Sequence, residues 1–373
     1  MTDYGEIDVE DIFTSSDPVA DWLELKDHED LAPGTTEGLR QVLQQNENET
    51  ALQQFLGDRG MGVLDASVQD LFDYKDYLEE KGANDRGIHN KLAESSAFYK
   101  ELMTMNQTES NPAGYVLSRT DLDTSSPDRV HHTVAEISGF LKSIPQPQIQ
   151  LLALYSLKYG FRRGACVNTD LKCVHIDHPS YLEWLDEQGI ELKEEIRDKP
   201  DSIYVYGNFS EGDVVEGEKR TNGNKRENPA IVPIDAELKQ ALLQYLTIRP
   251  ETEPPHPLFT GLKPIGGTYG RMSGSAMYQQ IIQKYGKRYG ITGEDSREDV
   301  DLHYFRHFFS TQMSRFRGDH DGSLDDALIK YIRGDKMDDK QQDVLDAVYR
   351  HDSWGVNIRD EYLDNIYTFD LFD

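Results

Sequence analysis

Between residues 301 and 310 the chain reads DLHYFRHFFS. Placed on a helix, His303, Arg306, His307 and Ser310 fall at i, i+3, i+4 and i+7, while Leu302, Phe305, Phe309 and Met313 form the adjoining apolar face. One face packs and the other presents nitrogen donors. Histidines at i, i+4 can hold zinc, but Tyr304 stands where such a site needs a glutamate base, and Arg306 would repel a cation on the same stripe. An anion suits these donors better than a metal. The same residues could also cap helix ends or pair with acids in a core.

Three further stretches could act on an anion. In LYSLKYGFRRGACVNTDL, residues 154–171, an apolar helical run meets Gly160 and then two arginines. A guanidinium placed there gives bidentate hydrogen bonds to phosphate oxygens and stays charged at any working pH. GEKRTNGNKRENPAIVPI is the most basic short stretch of the chain and lies between two strand candidates, with Lys225 eight residues before Pro233. A lysine on a hairpin tip can enter a groove and protonate a leaving alkoxide, although a hydrated turn accounts for it equally well. In the tail, Tyr349 sits late on a helical pattern and is followed by Arg350 and His351. A tyrosine can attack a phosphodiester if neighbouring cations stabilise its phenolate and the charge developing on phosphorus. Most of the 20 tyrosines here must be packing residues.

The elements that must hold these residues divide the chain in two. Residues 1–17 are acidic with little periodicity. Helical patterns follow: PGTTEGLRQVLQQ with threonines able to cap; ASVQDLFDYKDYLEEKG with Ser67 as N-cap, a stripe of Val68, Leu71, Tyr74 and Leu78, and Gly82 as the stop; and RGIHNKLAESSAFYKELMTM with Ile88, Leu92, Tyr99 and Leu102 on one face. Together they predict a small helical domain over 18–115. The polar run at 116–130 reads as a linker. A second domain over 131–373 opens with helices at about 130–143 and 147–159. It continues through the β-like runs SIYVYG and AIVPID, and returns to mainly helical patterns.

Composition bounds the class. The 373 residues suit one large or two medium domains, at roughly 100–200 residues per domain. A hydrophobic share of 37% argues for a folded chain. Asp and Glu number 68 against 39 Lys and Arg, a net charge of -29 that ordinarily counts against a nucleic-acid partner. In molar salt the Debye length falls to about 3 Å, so diffuse charge is screened and close contacts decide; the acid excess then reads as a halophilic surface. The acidic N-terminus lacks the pattern of a signal peptide, and no segment reaches the roughly 18 apolar residues of a membrane span, so a cytoplasmic protein is expected. CVNTDLKCVHIDH places Cys166 and Cys173 near His175 and His178, but the spacing fits no standard structural zinc pattern.

The four constellations occur as Arg, hairpin Lys, His-x-x-Arg-His, then Tyr-x-His. In that order the chain resembles the tyrosine recombinases, the phage integrase and Xer-like family. GFRRG is similar to the family's first arginine box, GNKRENPAIVPI to its β-hairpin lysine followed by proline, HYFRH to its second box and VYRH to its nucleophile box. The likeness covers residues 18 to 367. The acidic surface and the RGD and YLDNIY segments look most like integrases of halophilic archaea. The resemblance implies an α-helical SAM-like core-binding domain and a mixed α/β, mainly α, catalytic domain with a small antiparallel sheet. It implies that Arg162 and Arg306 clamp the scissile phosphate, His303 handles a proton, Lys225 protonates the leaving 5′-oxygen, Tyr349 forms a 3′-phosphotyrosine and His307 supports its neighbours. No metal or other cofactor is implied, since the arginines supply the positive charge. The implied partners are double-stranded DNA, three further copies forming a tetramer on two recombination sites, and an accessory DNA-bending or directionality protein; no membrane is involved.

The chain departs from the pattern in three places. Ala165 replaces the acid that usually follows three residues after the first arginine. The third box, normally Gly-His, reads Gly334-Asp335, and an ionised carboxylate cannot donate as imidazole does. The interval from Asp335 to Tyr349 is long, which leaves Tyr362 as a fallback nucleophile. Ala165 and Asp335 also motivate a second reading, a recombinase-derived DNA-binding module without strand transfer; a metallohydrolase built on His303 and His307 is a third. The tail spacing Tyr362, Leu363, Ile366 and Phe369 suits a helix that docks into a neighbouring protomer or packs on its own domain.

Overall fold

The computed structural model describes residues 17–28, 33–125, 131–292, 300–314, 318–320, 322–337 and 354–372. The chain forms two compact units, Met1–Ser126 and Pro127–Asp373.

In the first unit the described elements are helices α1 (Pro18–His28), α2 (Pro33–Leu43), α3 (Leu52–Gly57), α4 (Val68–Glu80), α5 (Asp85–Thr104) and α6 (Pro112–Arg119). Ser67 caps α4 in a reciprocal box with Asp70, which satisfies two backbone donors at the helix start. Gly82 stops it at a φ of 84°, where a side chain would be strained. Leu71, Tyr74 and Leu78 are buried as the stripe predicts, whereas Val68, in the first turn, is exposed. Ile88, Leu92, Tyr99 and Leu102 of α5 pack with Trp22, Phe55, Phe98 and Val116 into one core. Two further details differ from expectation. Helix α2 begins at Pro33 itself, whose fixed φ suits a first helical position, so Thr35 and Thr36 lie inside it and do not cap it. Helix α6 runs four residues into the span read as a linker.

The second unit is organised around α8 (Pro147–Tyr159), preceded by α7 (Val134–Lys142) and followed, past the left-handed Gly160, by the short α9 (Arg163–Val167). Every α8 residue from Leu151 to Tyr159 is buried, and α12 (Ala236–Leu246) and α14 (Leu302–Met313) both pack on it. Between α9 and α12 lie β1 (Val174–His175), α10 (Pro179–Glu187), α11 (Glu194–Arg197), β2 (Ser202–Val205), the hairpin β3 (Val214–Val215) and β4 (Glu218–Lys219), and β5 (Ala230–Pro233). The strands β1, β2 and β5 make an antiparallel sheet in that order, with Val174 opposite Ile203 and Ser202 opposite Pro233. The two longer strands are the β-like runs of the sequence. β1, two residues long, falls in the stretch weighed as a zinc motif. There Cys166 contacts the Ser156 hydroxyl at 3.3 Å and His175 bonds the Ile196 carbonyl at 2.7 Å, while burial pushes both cysteine thiols up to about 12.

Helix α13 (Gly274–Tyr278) continues through a π-helical stretch, Gln279–Gly286. After α14 comes α15 (Asp326–Arg333), and the described C-terminal part consists of a π-helical turn, Trp354–Asp360, and α16 (Glu361–Asn365). Residues 366–372 then run along the same unit. Fully buried Lys158 bonds Asp235 at 2.6 Å and Glu237 at 2.8 Å and donates to the Tyr367 carbonyl, while Glu237 accepts the Phe369 and Leu371 amides at 3.1 Å. Of the two placements expected for the tail, this is packing on its own domain, and Phe369 lies beyond the helix.

Candidate active site

Gly160 ends α8 with a φ of 58°, and the turn it makes brings Arg162 to the N-terminal edge of α9. Phe309 and Arg333 lie about 3 Å from where a Cβ at Gly160 would stand, so the turn is crowded as well as left-handed. The Gly160 carbonyl accepts from Arg306 Nη1 at 2.7 Å, and the Arg333 carbonyl accepts from the same nitrogen at 2.8 Å. Arg306 is thereby fixed at 2% exposure on α14, whereas the Arg162 side chain keeps 38%. Arg162 Nη1 donates to the carbonyls of Lys225 at 3.2 Å and Gly334 at 2.8 Å.

Both arginines meet on Asp335. Arg162 Nη2 reaches its Oδ1 at 3.1 Å, Arg306 Nη2 donates to the same oxygen, and Arg333 Nε lies 3.2 Å from Oδ2. Asp335 stands here because α15 ends at Gly334 with a φ of 70°; the Gly334 and Asp335 amides both return to the Lys330 carbonyl. Burial alone would raise the Asp335 carboxyl, but Arg306, Arg333 and Arg162 together hold it below the usual aspartate value. Burial, then the charge of Arg333, push Arg306 down to about 10, so it remains a cation at neutral pH. In place of an acid at residue 165, Arg162 pairs with the carboxylate of residue 335.

Lys225 lies on the loop between β4 and β5, with its side chain exposed. Two devices hold that loop. Arg226, fully enclosed, donates to the carbonyls of Asn228 at 3.0 Å and Ile332 at 2.9 Å and to that of Tyr331, which pins the loop to the C-terminal end of α15. At the hairpin base, buried Asp170 accepts from Tyr206 at 2.9 Å, Arg220 at 2.8 Å and Arg271, and Glu218 closes the network from the other side. Neither Arg226, Arg333 nor the Asp170 network stood out in the sequence. KR and IRGD are their only local traces, and although Asn228 and Asp335 lie two residues from Arg226 and Arg333, the other partners lie tens to more than a hundred residues away.

His303 and His307 face each other edge to face on α14, ring centres 4.7 Å apart, with His303 exposed. His307 also borders a cavity of about 280 Å³ lined with His131, His132, Tyr304 and Asp319. Tyr349 lies outside the described residues. Tyr362 does not offer a nucleophile in this arrangement: it is fully buried, stacks on Tyr159 and donates to the Lys158 carbonyl at 3.0 Å, and burial raises its phenol well above the ordinary value.

No family model and no curated protein matches the sequence. Solved structures do match. A Tn1549 transposon integrase in complex with circular intermediate DNA superposes over 88% of this chain and 95% of its own, with a TM-score of 0.58 at 17% identity. The chain shares the tyrosine recombinase fold. A lambda integrase dimer bound to a COC′ core site covers 87% of this chain and 95% of its own, with a TM-score of 0.56 at 10% identity. A lambda integrase tetramer bound to a Holliday junction gives a TM-score of 0.55 at 11% identity over 87% of this chain and 77% of its own. The mainly helical architecture with its small antiparallel sheet is the fold of these integrases.

Proposed function

We propose that the chain is a site-specific DNA recombinase that cuts and rejoins strands through a 3′-phosphotyrosine. The observation that carries this reading is the convergence of Arg162 and Arg306, far apart in sequence, on a single carboxylate oxygen. Two guanidiniums aimed at one acceptor form a site for an oxyanion, and a phosphodiester is the anion that a planar fork of donors fits. The Tyr349 oxygen attacks phosphorus while the bond to the 5′-oxygen breaks. Lys225 supplies that oxygen with a proton, and Arg162 and Arg306 hold the charge that builds on the two non-bridging oxygens. His303, exposed next to the clamp arginine on α14, takes the tyrosine proton. In the second half the 5′-hydroxyl of a partner strand attacks the phosphotyrosine and frees Tyr349, so the phosphodiester count is unchanged and no nucleotide is spent.

The partner is duplex DNA, with four protomers assembling on two sites and an accessory DNA-bending or directionality protein able to join them. The acidic surface suits a halophilic cytoplasm. A second reading, a DNA-binding module without strand transfer, draws on Ala165 and on the carboxylate that fills the clamp. A nicked suicide duplex, carrying the site mapped by protection in molar KCl, separates the two. Wild type is expected to form a covalent protein–DNA adduct in EDTA and Tyr349→Phe none; absence of adduct from wild type that still protects the site would establish the module.

A further inference from the structure

The third-box position holds an acceptor, and its geometry defines a role for it. We propose that Asp335 is an internal stand-in for the scissile phosphate: it occupies the Arg162–Arg306 clamp in the DNA-free protein, yields Oδ1's place to a phosphate oxygen, and stays parked on Arg333. This inference rests on the reading of the two arginines as a phosphate clamp.

Three observations support it. Arg162 Nη2 and Arg306 Nη2 both point at Oδ1, so the locus between the two guanidiniums, where a non-bridging phosphate oxygen belongs, is already taken by an anion. The other Asp335 oxygen has a separate cation, Arg333 Nε at 3.2 Å, which is not needed to fill the clamp but is needed to keep the carboxylate paired once it leaves. The guanidiniums themselves do not depend on Asp335 for their placement. Arg306 Nη1 is held by the Gly160 and Arg333 carbonyls, and Arg162 Nη1 by those of Lys225 and Gly334. The clamp therefore stays aimed while the anion on it exchanges. The exchange selects for a ligand that offers two oxygens to four N–H groups, and it keeps an anion among three crowded arginines when DNA is absent.

The test is the affinity of the purified full chain for inorganic phosphate, titrated calorimetrically at constant molar KCl and neutral pH. Asp335→Asn is expected to bind phosphate about tenfold more tightly than wild type, the scale of one charge-assisted hydrogen bond no longer competed for. Asp335→Ala should gain similarly, which guards against an effect peculiar to the amide. Arg333→Gln, which removes the parking place, should bind more weakly than wild type, and the Asp335→Asn/Arg333→Gln pair should return to the affinity of Asp335→Asn. A merely structural role for Asp335 would lower affinity in its variants. Unchanged or weaker binding by Asp335→Asn, with binding abolished in Arg306→Gln, would overturn the stand-in and leave the clamp standing. No phosphate binding by wild type or by either Asp335 variant would remove the clamp reading itself.

Discussion

Replacing Arg226 by methionine removes the residue that ties the Lys225 loop to the end of α15 while keeping most of its buried volume. Arg226 gives three hydrogen bonds from a charged donor, to the carbonyls of Asn228, Ile332 and Tyr331. At ~1.5–3 kcal/mol each these are a gross gain several times the net stability of a typical bond, and their loss leaves carbonyls of Tyr331 and Ile332 buried at a helix end. Against this, methionine avoids the desolvation of a guanidinium, several kcal/mol; that cost is visible in the Arg226 pKa, which burial pushes down to about 10. The difference is a net loss of about 3 kcal/mol, or roughly 6–12 °C in Tm for a unit of this size. Gly334 sharpens the case, because a Cβ there would stand 2.7 Å from Arg226 Cγ: the two elements touch at this point. The assay is urea unfolding paired with the single-turnover rate of adduct formation on a nicked duplex. Arg226→Met should unfold earlier and, with the Lys225 loop loosened, cleave more slowly even where it is fully folded. Arg226→Lys keeps the charge without the planar fork and should recover only part of both. Unfolding within ~0.5 kcal/mol of wild type together with an unchanged cleavage rate would refute the reasoning.

Two further outcomes follow from the same geometry. Tyr362→Phe should form adduct at the wild-type rate, since its buried hydroxyl donates to the Lys158 carbonyl, and should cost about 1 kcal/mol in urea unfolding. For the pH dependence, Glu216, although burial opposes it, is held at about 2 by Lys172 and Lys193, and Asp335 is likewise depressed by its arginines. Both are ionised more readily folded than unfolded, so their stabilisation is complete above about pH 4.5 and is lost as pH falls toward 2. Glu216→Gln should flatten the fall in Tm between those pH values and leave the Tm at neutral pH less than that of wild type.

The helical first unit could be read from the sequence because its signals are local: Ser67 and Asp70 are three residues apart, and Ile88, Leu92, Tyr99 and Leu102 recur with the helical period. Arg162, Lys225 and Arg306 stood out as candidates for a different reason. Each sits beside a local marker, a glycine turn, a strand pair or an amphipathic helix, that sets it apart from the other cations of the chain. What was not readable is how they are held. Asp335 looked like a missing donor because its partners lie at 162 and 306, and only the folded chain shows it accepting from both. Arg226 and Arg333 carry no local marker, since a buried arginine and a solvated one have the same neighbours in sequence. Strand β1 is two residues long, too short for alternation to appear, and is defined by its pairing with β2, Val174 opposite Ile203 and His175 opposite Ser202. Tyr362 has the spacing of a candidate nucleophile and the environment of a core residue.

The most direct test is to digest the covalent adduct with trypsin after trimming the DNA, and to find the peptide that carries the nucleotide. The account predicts it on Tyr349, within the peptide Gln341–Arg350. A nucleotide on the C-terminal peptide that contains Tyr362 and Tyr367, or on no tyrosine at all, would contradict it.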